Sequence, residues 1–204
     1  HILVVQAENP DGDSVASSLA MESLIYENWP NKKVTMFCKL PVPAHLRYLD
    51  GHDRVVQDLP NDFDLVLLVD CAEEVLLEKT LKSDGAERFR KVKCVVIDHH
   101  QDKINLPFET VNLIDENAVS TGAVIYNLTK KEDLKFSKET GVFVLASILS
   151  DTLGLSLDFV RAEDFRMVAD LTELGASVSE IENARRELNK RPQFITQYKA
   201  ELLG

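Results

Sequence analysis

Val95-Val96-Ile97-Asp98-His99-His100 sets three polar, metal-competent side chains directly after an apolar run of strand character. The arrangement recurs along the chain. Ile2-Leu3-Val4-Val5 leads to Asn9-Pro10-Asp11-Gly12-Asp13, Leu65-Val66-Leu67-Leu68-Val69 ends in Asp70, and the apolar stretch 142–149 is closed by Asp151. Polar groups at the rim of a core cost desolvation free energy unless something binds there. Their repetition after apolar segments predicts one site, built at one edge of a sheet.

Working outward, the apolar runs predict strands over 2–5, 34–38, 65–69, 92–97 and 110–114. They are continuous rather than alternating, the pattern of a sheet covered on both faces. Between them lie helical periods. Val15, Leu19, Ser23/Leu24 and Tyr26 recur every three or four residues in 13–27, and Asn28-Trp29-Pro30-Asn31 stops that helix. Further helices are expected over 44–49 (a short one), 73–82, 120–129 with Ser120 as N-cap, 138–149, 162–174 with Gly175 as its stop, and 179–189. Strands alternating with helices predict βαβ units. The expected fold is α/β: a parallel sheet of about five strands flanked by helices, with an all-helical C-terminal part. Residues 1–189 are expected to form one domain, and 190–204 to begin a linker helix toward a segment not in this sequence.

Composition narrows the class. The 204 residues are 45% hydrophobic and 28% charged, ordinary for a globular domain. The net charge of −11 argues against broad binding to long duplex nucleic acid, though not against a local site whose field metal ions reverse. No apolar run approaches the ~20 residues that span a bilayer, and no leader with a basic start is visible. The chain begins at His1 rather than Met, so a trimmed or mid-protein start is expected. Cys38, Cys71 and Cys94 are odd in number and lack a CxxC spacing, which predicts buried thiols of a reducing compartment, the cytoplasm. Cys71, beside Asp70, reads first as a small strand-end residue and second as a soft ligand. No GxxxxGK[ST] loop and no GxSxG elbow are present, which excludes P-loop chemistry and leaves Ser14, Ser17 and Ser18 without support as nucleophiles.

In an open parallel sheet, ligands bind beyond the carboxyl ends of the strands. Asp11, Asp13, Asp70, Asp98 and His99 all fall at such ends. Two carboxylates ~4 Å apart repel by roughly 4 kcal/mol at an effective dielectric near 20, and a divalent cation turns that cost into binding. A donor set rich in carboxylate oxygen with one or two imidazoles suits Mn²⁺, with Mg²⁺ second. Structural zinc would want thiolates, and none is suitably spaced. In Asp11-Gly12-Asp13 the glycine is expected to permit a sharp turn, so that two carboxylates face two ions; Asp13 would open the following helix, where its charge suits the helix dipole. Taken alone, Asn-Pro-Asp-Gly also reads as a plain turn.

Asn9-Pro10-Asp11-Gly12-Asp13, the strand-end Asp70, Asp98-His99-His100 and Ser150-Asp151-Thr152 resemble, in order, the four motifs of the DHH phosphoesterases. Residues 117–126, with Ser120-Thr121, resemble the segment that follows the third motif. The resemblance runs from residue 2 to about 185. The tripeptide alone is weak; four motifs in register are specific. The resemblance implies a dinuclear Mn²⁺ site, with Asp11 and Asp70 on the first metal and Asp13, Asp70, His99 and Asp151 on the second, Asp70 bridging. It implies that Asp98 orients the histidines or a metal-bound water, and that His100 meets the phosphate. Water activated by both metals would be the nucleophile. Implied substrates are short oligoribonucleotides, then small or cyclic nucleotides, and a homodimer is left open.

Two departures qualify this. The oligoribonuclease-like branch usually carries a metal-ligating histidine four residues before the first aspartate; here that residue is Ala7, between Gln6 and Glu8. Glu8 or water would complete the first site, or the first metal binds weakly; exonucleases of the same superfamily also lack that histidine. Second, nothing here resembles the glycine-rich, basic C-terminal domain of the family. The rival readings are an inorganic pyrophosphatase or exopolyphosphatase, and a catalytically silent nucleotide-binding module. His45 and His52 read as loop histidines, Asp50, Asp53, Asp62 and Asp64 as surface charges, Asp115 first as a residue away from the site and second as one near its edge, Trp29 as packing at a helix end, and Arg185-Arg186…Lys190-Arg191 as a solvated helix face.

Overall fold

A computed structural model describes residues 1–101 and 104–188. The expected linker helix over 190–204 lies outside the described residues. Five strands form one parallel sheet: β1 (Ile2–Val5), β2 (Val34–Phe37), β3 (Leu65–Val69), β4 (Lys93–Asp98) and β5 (Val111–Ile114), in the order β2-β1-β3-β4-β5. Val5 stands beside Phe37 and Leu68, and Val69 beside Ile97, so the carboxyl ends of the central strands are level. Strand order reverses between β1 and β3, the place where open α/β sheets leave a crevice for ligands.

The helices are α1 (Gly12–Asn28), α2 (Glu78–Leu81), α3 (Thr121–Lys131), α4 (Lys138–Asp151), α5 (Ala162–Glu173) and α6 (Val178–Leu188). One face of the sheet packs, through Val4, Leu67, Val69 and Ile97, on the helical layer that holds Leu19, Ile125, Leu145 and Ile148. The other face buries Leu3, Val5, Leu68 and Val96 with Phe63, Leu77 and Phe89. Both faces are covered, as continuous apolar strands require. Cys38, Cys71 and Cys94 are free and buried. Among the described residues no helix is long and apolar enough to cross a membrane.

Four expectations are revised. α1 is buried along every face from Gly12 to Ile25, including Ser14, Ser17 and Ser18, rather than amphipathic. It runs against α4, and small residues permit the approach: a Cβ on Gly12 would meet Ser150 Oγ at 2.3 Å. Gly12 is therefore required for close packing, not for a sharp turn, since its φ is not positive. The helix expected over 73–82 splits into a 3-10 turn, Glu74–Leu77, and the single turn of α2. There the Thr80 N–H is taken by Glu8 Oε1, 2.5 Å away. The segment 44–49 holds only a 3-10 turn, Ala44–Leu46.

Candidate metal centre

Asp13 is the anchor. It lies in the first turn of α1 and is fully buried. Its Oδ2 accepts the Thr121 N–H at 2.8 Å, and its Oδ1 accepts the Ser17 hydroxyl at 2.8 Å, the Ser147 hydroxyl at 2.5 Å and the Gly122 N–H at 3.4 Å. The carboxylate thus rests on the N-terminus of α3, where unpaired N–H groups and the helix dipole favour negative charge. Asp11 rather than Asp13 caps α1: its Oδ1 accepts the Ser14 N–H at 2.9 Å, and it stays exposed.

Ser147 carries no mark in the sequence motifs, and Thr121 stands in the segment that resembles the one after the third motif, without a role assigned to it there. One signal was present: Ser147 precedes Asp151 by four residues and therefore shares its helix face. Gly122 is built around this contact, because a Cβ there would meet Ser147 Oγ at 2.2 Å. Gly122→Ala is expected to destabilise the chain by about 1–3 kcal/mol through overpacking and to weaken metal binding by displacing Ser147 from Asp13. Thermal denaturation with and without Mn²⁺ reads both effects.

Asp70 follows β3 in the left-handed region, φ 56°, with its N–H on the Ile97 carbonyl at 3.0 Å. Backbone strain of this kind gathers at functional sites. Its Oδ1 accepts the Thr121 hydroxyl at 3.2 Å and lies 3.5 Å from His100 Nδ1. Burial first, then the charges of Asp13, Asp11, Asp98 and Asp151, push its carboxyl well above the usual range.

Asp98 ends β4 and clamps the tripeptide. Its Oδ1 accepts the N–H of His99 at 2.7 Å, the N–H of His100 at 3.0 Å and His100 Nδ1 at 2.7 Å. Burial works to raise this carboxyl, but the hydrogen bonds from His100 and His99 outweigh it and hold it below its ordinary value. The same contact with Asp98 raises His100, whose ring is half exposed.

His99 shows what the site is suited to hold. Its Nδ1 lies 3.3 Å from the Ala118 carbonyl, which can only accept, so the ring donates there. In the neutral ring Nε2 is then a bare lone pair. It is buried without a well-formed hydrogen bond, yet it faces Asp151 Oδ2 at 3.1 Å and Asp13 Oδ2 at 3.6 Å. A lone pair aimed at two carboxylates is repulsive unless a proton or a cation stands between them. Burial disfavours the protonated ring, but Asp151 and Asp13 override it and push His99 up to about 9. Asp151, in the last turn of α4, is itself pushed up to about 6 by burial, with Asp13 and Asp11 adding to the rise. The donor set of one imidazole and two carboxylates fits a divalent cation.

Ligand-competent atoms of Asp13, His99 and Asp151 lie within 4.8 Å of one another, as do those of Asp70, Asp98, His99 and His100. Asp11 belongs to neither group, although its charge reaches Asp70 and Asp151. Glu8, the candidate replacement for the histidine missing at Ala7, has its carboxylate on Thr80 instead. Asp115 lines a different cavity, beside Tyr126 and Asp170. Burial also raises Cys71 well above a usual thiol, with Asp70 adding to the effect, which makes it a poor ligand.

A family model described as the DHH family, N-terminal domain, matches residues 1–148. The chain belongs to the DHH family. Among curated proteins, this DHH chain is 27% identical over 184 residues to a probable manganese-dependent inorganic pyrophosphatase of Streptococcus agalactiae, covering 85% of this chain and 55% of that protein. It is 26% identical over 153 residues to a probable bifunctional oligoribonuclease and PAP phosphatase of Streptococcus mutans, covering 74% and 45%. The chain thus spans about half the length of the curated relatives it matches. Its fold is similar to that of an exopolyphosphatase-related protein from Bacteroides fragilis, with TM-score 0.80, 18% identity, and coverage of 99% of this chain and 60% of that one. It is similar also to a putative family II inorganic pyrophosphatase from Methanococcus jannaschii, with TM-score 0.64, 22% identity, and coverage of 92% and 60%.

Proposed function

We propose that this DHH chain is the catalytic part of a metal-dependent phosphoesterase acting on short oligoribonucleotides or small nucleotides, with Mn²⁺ as the working ion. The observation that carries the reading is the bare, buried Nε2 of His99 between the carboxylates of Asp13 and Asp151. Asp13, His99 and Asp151 would hold one ion, and Asp70 would reach both that ion and a second one shared with Asp11. Bound divalent cations polarise phosphoryl oxygens and lower the pKa of water. The chain's own residues do the rest. Thr121, Ser17 and Ser147 fix Asp13, and Ala118 fixes the tautomer of His99. Asp98 accepts from His100 Nδ1 and favours the protonated ring, the form in which Nε2–H would donate to a phosphoryl oxygen at the half-exposed rim.

The site at Asp11 is the weaker of the two on this reading. Asp11 stands apart, Ala7 offers no donor, and Glu8 is engaged with Thr80. Calorimetric titration with Mn²⁺ is expected to give one tight and one weak site; two tight, equivalent sites would sink this reading of Ala7.

The pyrophosphatase name of the S. agalactiae relative favours a second reading, hydrolysis of pyrophosphate. Comparing pyrophosphate with a ribo-dinucleotide as substrates for the full-length protein separates the two. The proposal expects the dinucleotide to be cleaved with the higher kcat/KM by at least about tenfold, a difference of roughly 1.4 kcal/mol in the barrier. Preference for pyrophosphate would overturn it. The proposed partner is a short RNA or small nucleotide, met in solution rather than at a membrane.

A further inference from the structure

Beside the metal-competent cluster, a cavity of about 560 Å³ opens from His99, His100 and Asp151. That volume falls within the range of small-molecule sites. Its lining also includes Phe159 and Arg161, residues that no sequence motif marks. We infer that Phe159 and Arg161 form a subsite for one nucleotide unit of the substrate, Phe159 stacking on the base and Arg161 pairing with a phosphate. The inference rests on the phosphoesterase reading and narrows it to base-bearing substrates.

Phe159 is 51% exposed, the aromatic ring of this cavity, within a chain that buries Phe37, Phe63 and Phe89 completely or nearly so. A half-bare ring beside a polar cluster offers a flat π-face that accepts any base. Arg161 is the one Arg or Lys lining the cavity among the described residues, where Asp151 and Glu116 would otherwise repel a phosphate. Its guanidinium is positioned rather than loose. Nη2 donates to the Asn117 carbonyl and Nε lies 3.0 Å from Glu163, while the backbone N–H of Arg161 donates to Asp164 Oδ2 at 2.7 Å and fixes the main chain there. A guanidinium has five N–H donors in a planar fork, so these contacts leave donors for phosphate.

The loop that presents both residues is strained in a specific way. Directly after Asp151 and Thr152, Leu153, Gly154 and Leu155 all adopt positive φ, at 49°, 72° and 66°. Two leucines in the left-handed region are costly and persist only when the surroundings impose them. Thr152 does so: its hydroxyl donates to the Ile148 carbonyl at 2.6 Å and accepts the Leu155 N–H at 2.9 Å. The strained turn sends the chain from Asp151 around to Phe159 and Arg161, so the proposed ligand and the subsite are fixed by one loop.

The test is calorimetric binding of AMP and of ribose 5-phosphate, which lacks the base, to the full-length protein. AMP is expected to bind at least about tenfold more tightly, as one base stack supplies. Phe159→Ala should erase that preference and leave ribose 5-phosphate within about twofold, whereas Phe159→Trp should restore it. Arg161→Ala should weaken both ligands by about tenfold. Equal affinity of the parent protein for the two ligands, or preference retained in Phe159→Ala, overturns the subsite. Hydrolysis of a ribo-dinucleotide is scored separately. Turnover without AMP preference keeps the phosphoesterase reading and removes the subsite; AMP preference without turnover does the reverse.

Discussion

Asp70→Asn is expected to abolish metal-dependent hydrolysis while leaving the metal-free chain at least as stable as its parent. Both halves follow from one carboxyl group. Asp70 is buried, and burial together with Asp13, Asp11, Asp98 and Asp151 raises it well above its ordinary value. Without a cation, folding must either charge that group in a low-dielectric site or keep it protonated where the unfolded chain would ionise it, and both cost stability. Asparagine removes the charge, keeps the shape and tolerates the φ of 56° that Asp70 adopts. Alanine would be the poorer probe because it adds backbone strain at that φ. The lost group is also the one proposed to serve both ions, so metal affinity should fall by more than about 100-fold, beyond the 10–100-fold typical of an outer partner. In a melting experiment the parent should gain a large Mn²⁺-dependent rise in Tm. The variant should start as high or higher and gain almost nothing. Mn²⁺-dependent turnover retained in Asp70→Asn would refute the assignment of Asp70, and a variant that unfolds without metal would refute the electrostatic account.

The sheet was legible because its strands are buried on both faces and read as unbroken apolar runs, as 2–5 and 65–69 do without adjustment. The convergence of Asp13, Asp70, Asp98 and His99 was legible because a parallel sheet gathers its carboxyl ends at one edge, whereas Asp151 arrives there on the last turn of α4. What holds them there was not. The donors to Asp13 come from Thr121 and Ser147, more than a hundred residues away in sequence, and small hydroxyl side chains carry no periodic signal. Asp11 and Asp13 look equivalent in the motif but differ in three dimensions. One caps a helix at the surface; the other is driven by the first turn of α1 into the N-terminus of α3. Glu8 looked available to replace the absent histidine, and only the packing of α2 shows it spent on Thr80. Phe159 escaped notice because its loop has neither strand nor helix period.

With a chelator present, raising the pH from 6 to 9 is expected to lower Tm, and Mn²⁺ is expected to reverse that slope. His99 is held at about 9 against a reference of 6.5, after Asp151 and Asp13 overcome the opposing effect of burial. A folded value above the unfolded one means stability that is full below pH 6.5 and lost as the pH climbs through 9. Asp151 is held at about 6 against 3.8, chiefly by burial, so its contribution is lost earlier, between those two values. Asp98 is shifted the other way, below 3.8, and its window lies under this range. Each displaced unit is worth about 1.4 kcal/mol, which makes the His99 window alone about 3 kcal/mol and a fall in Tm on the order of 5–10 °C. A divalent cation requires both groups deprotonated and releases their protons on binding. The Mn²⁺-induced rise in Tm should therefore grow with pH over the interval in which the metal-free chain weakens. His99→Gln separates this from general repulsion in a chain of net charge −11: it should flatten the metal-free slope between 6.5 and 9 and remove most of the metal-dependent gain. A slope unchanged by that substitution would assign the pH dependence to Asp70, His100 or the surface rather than to His99.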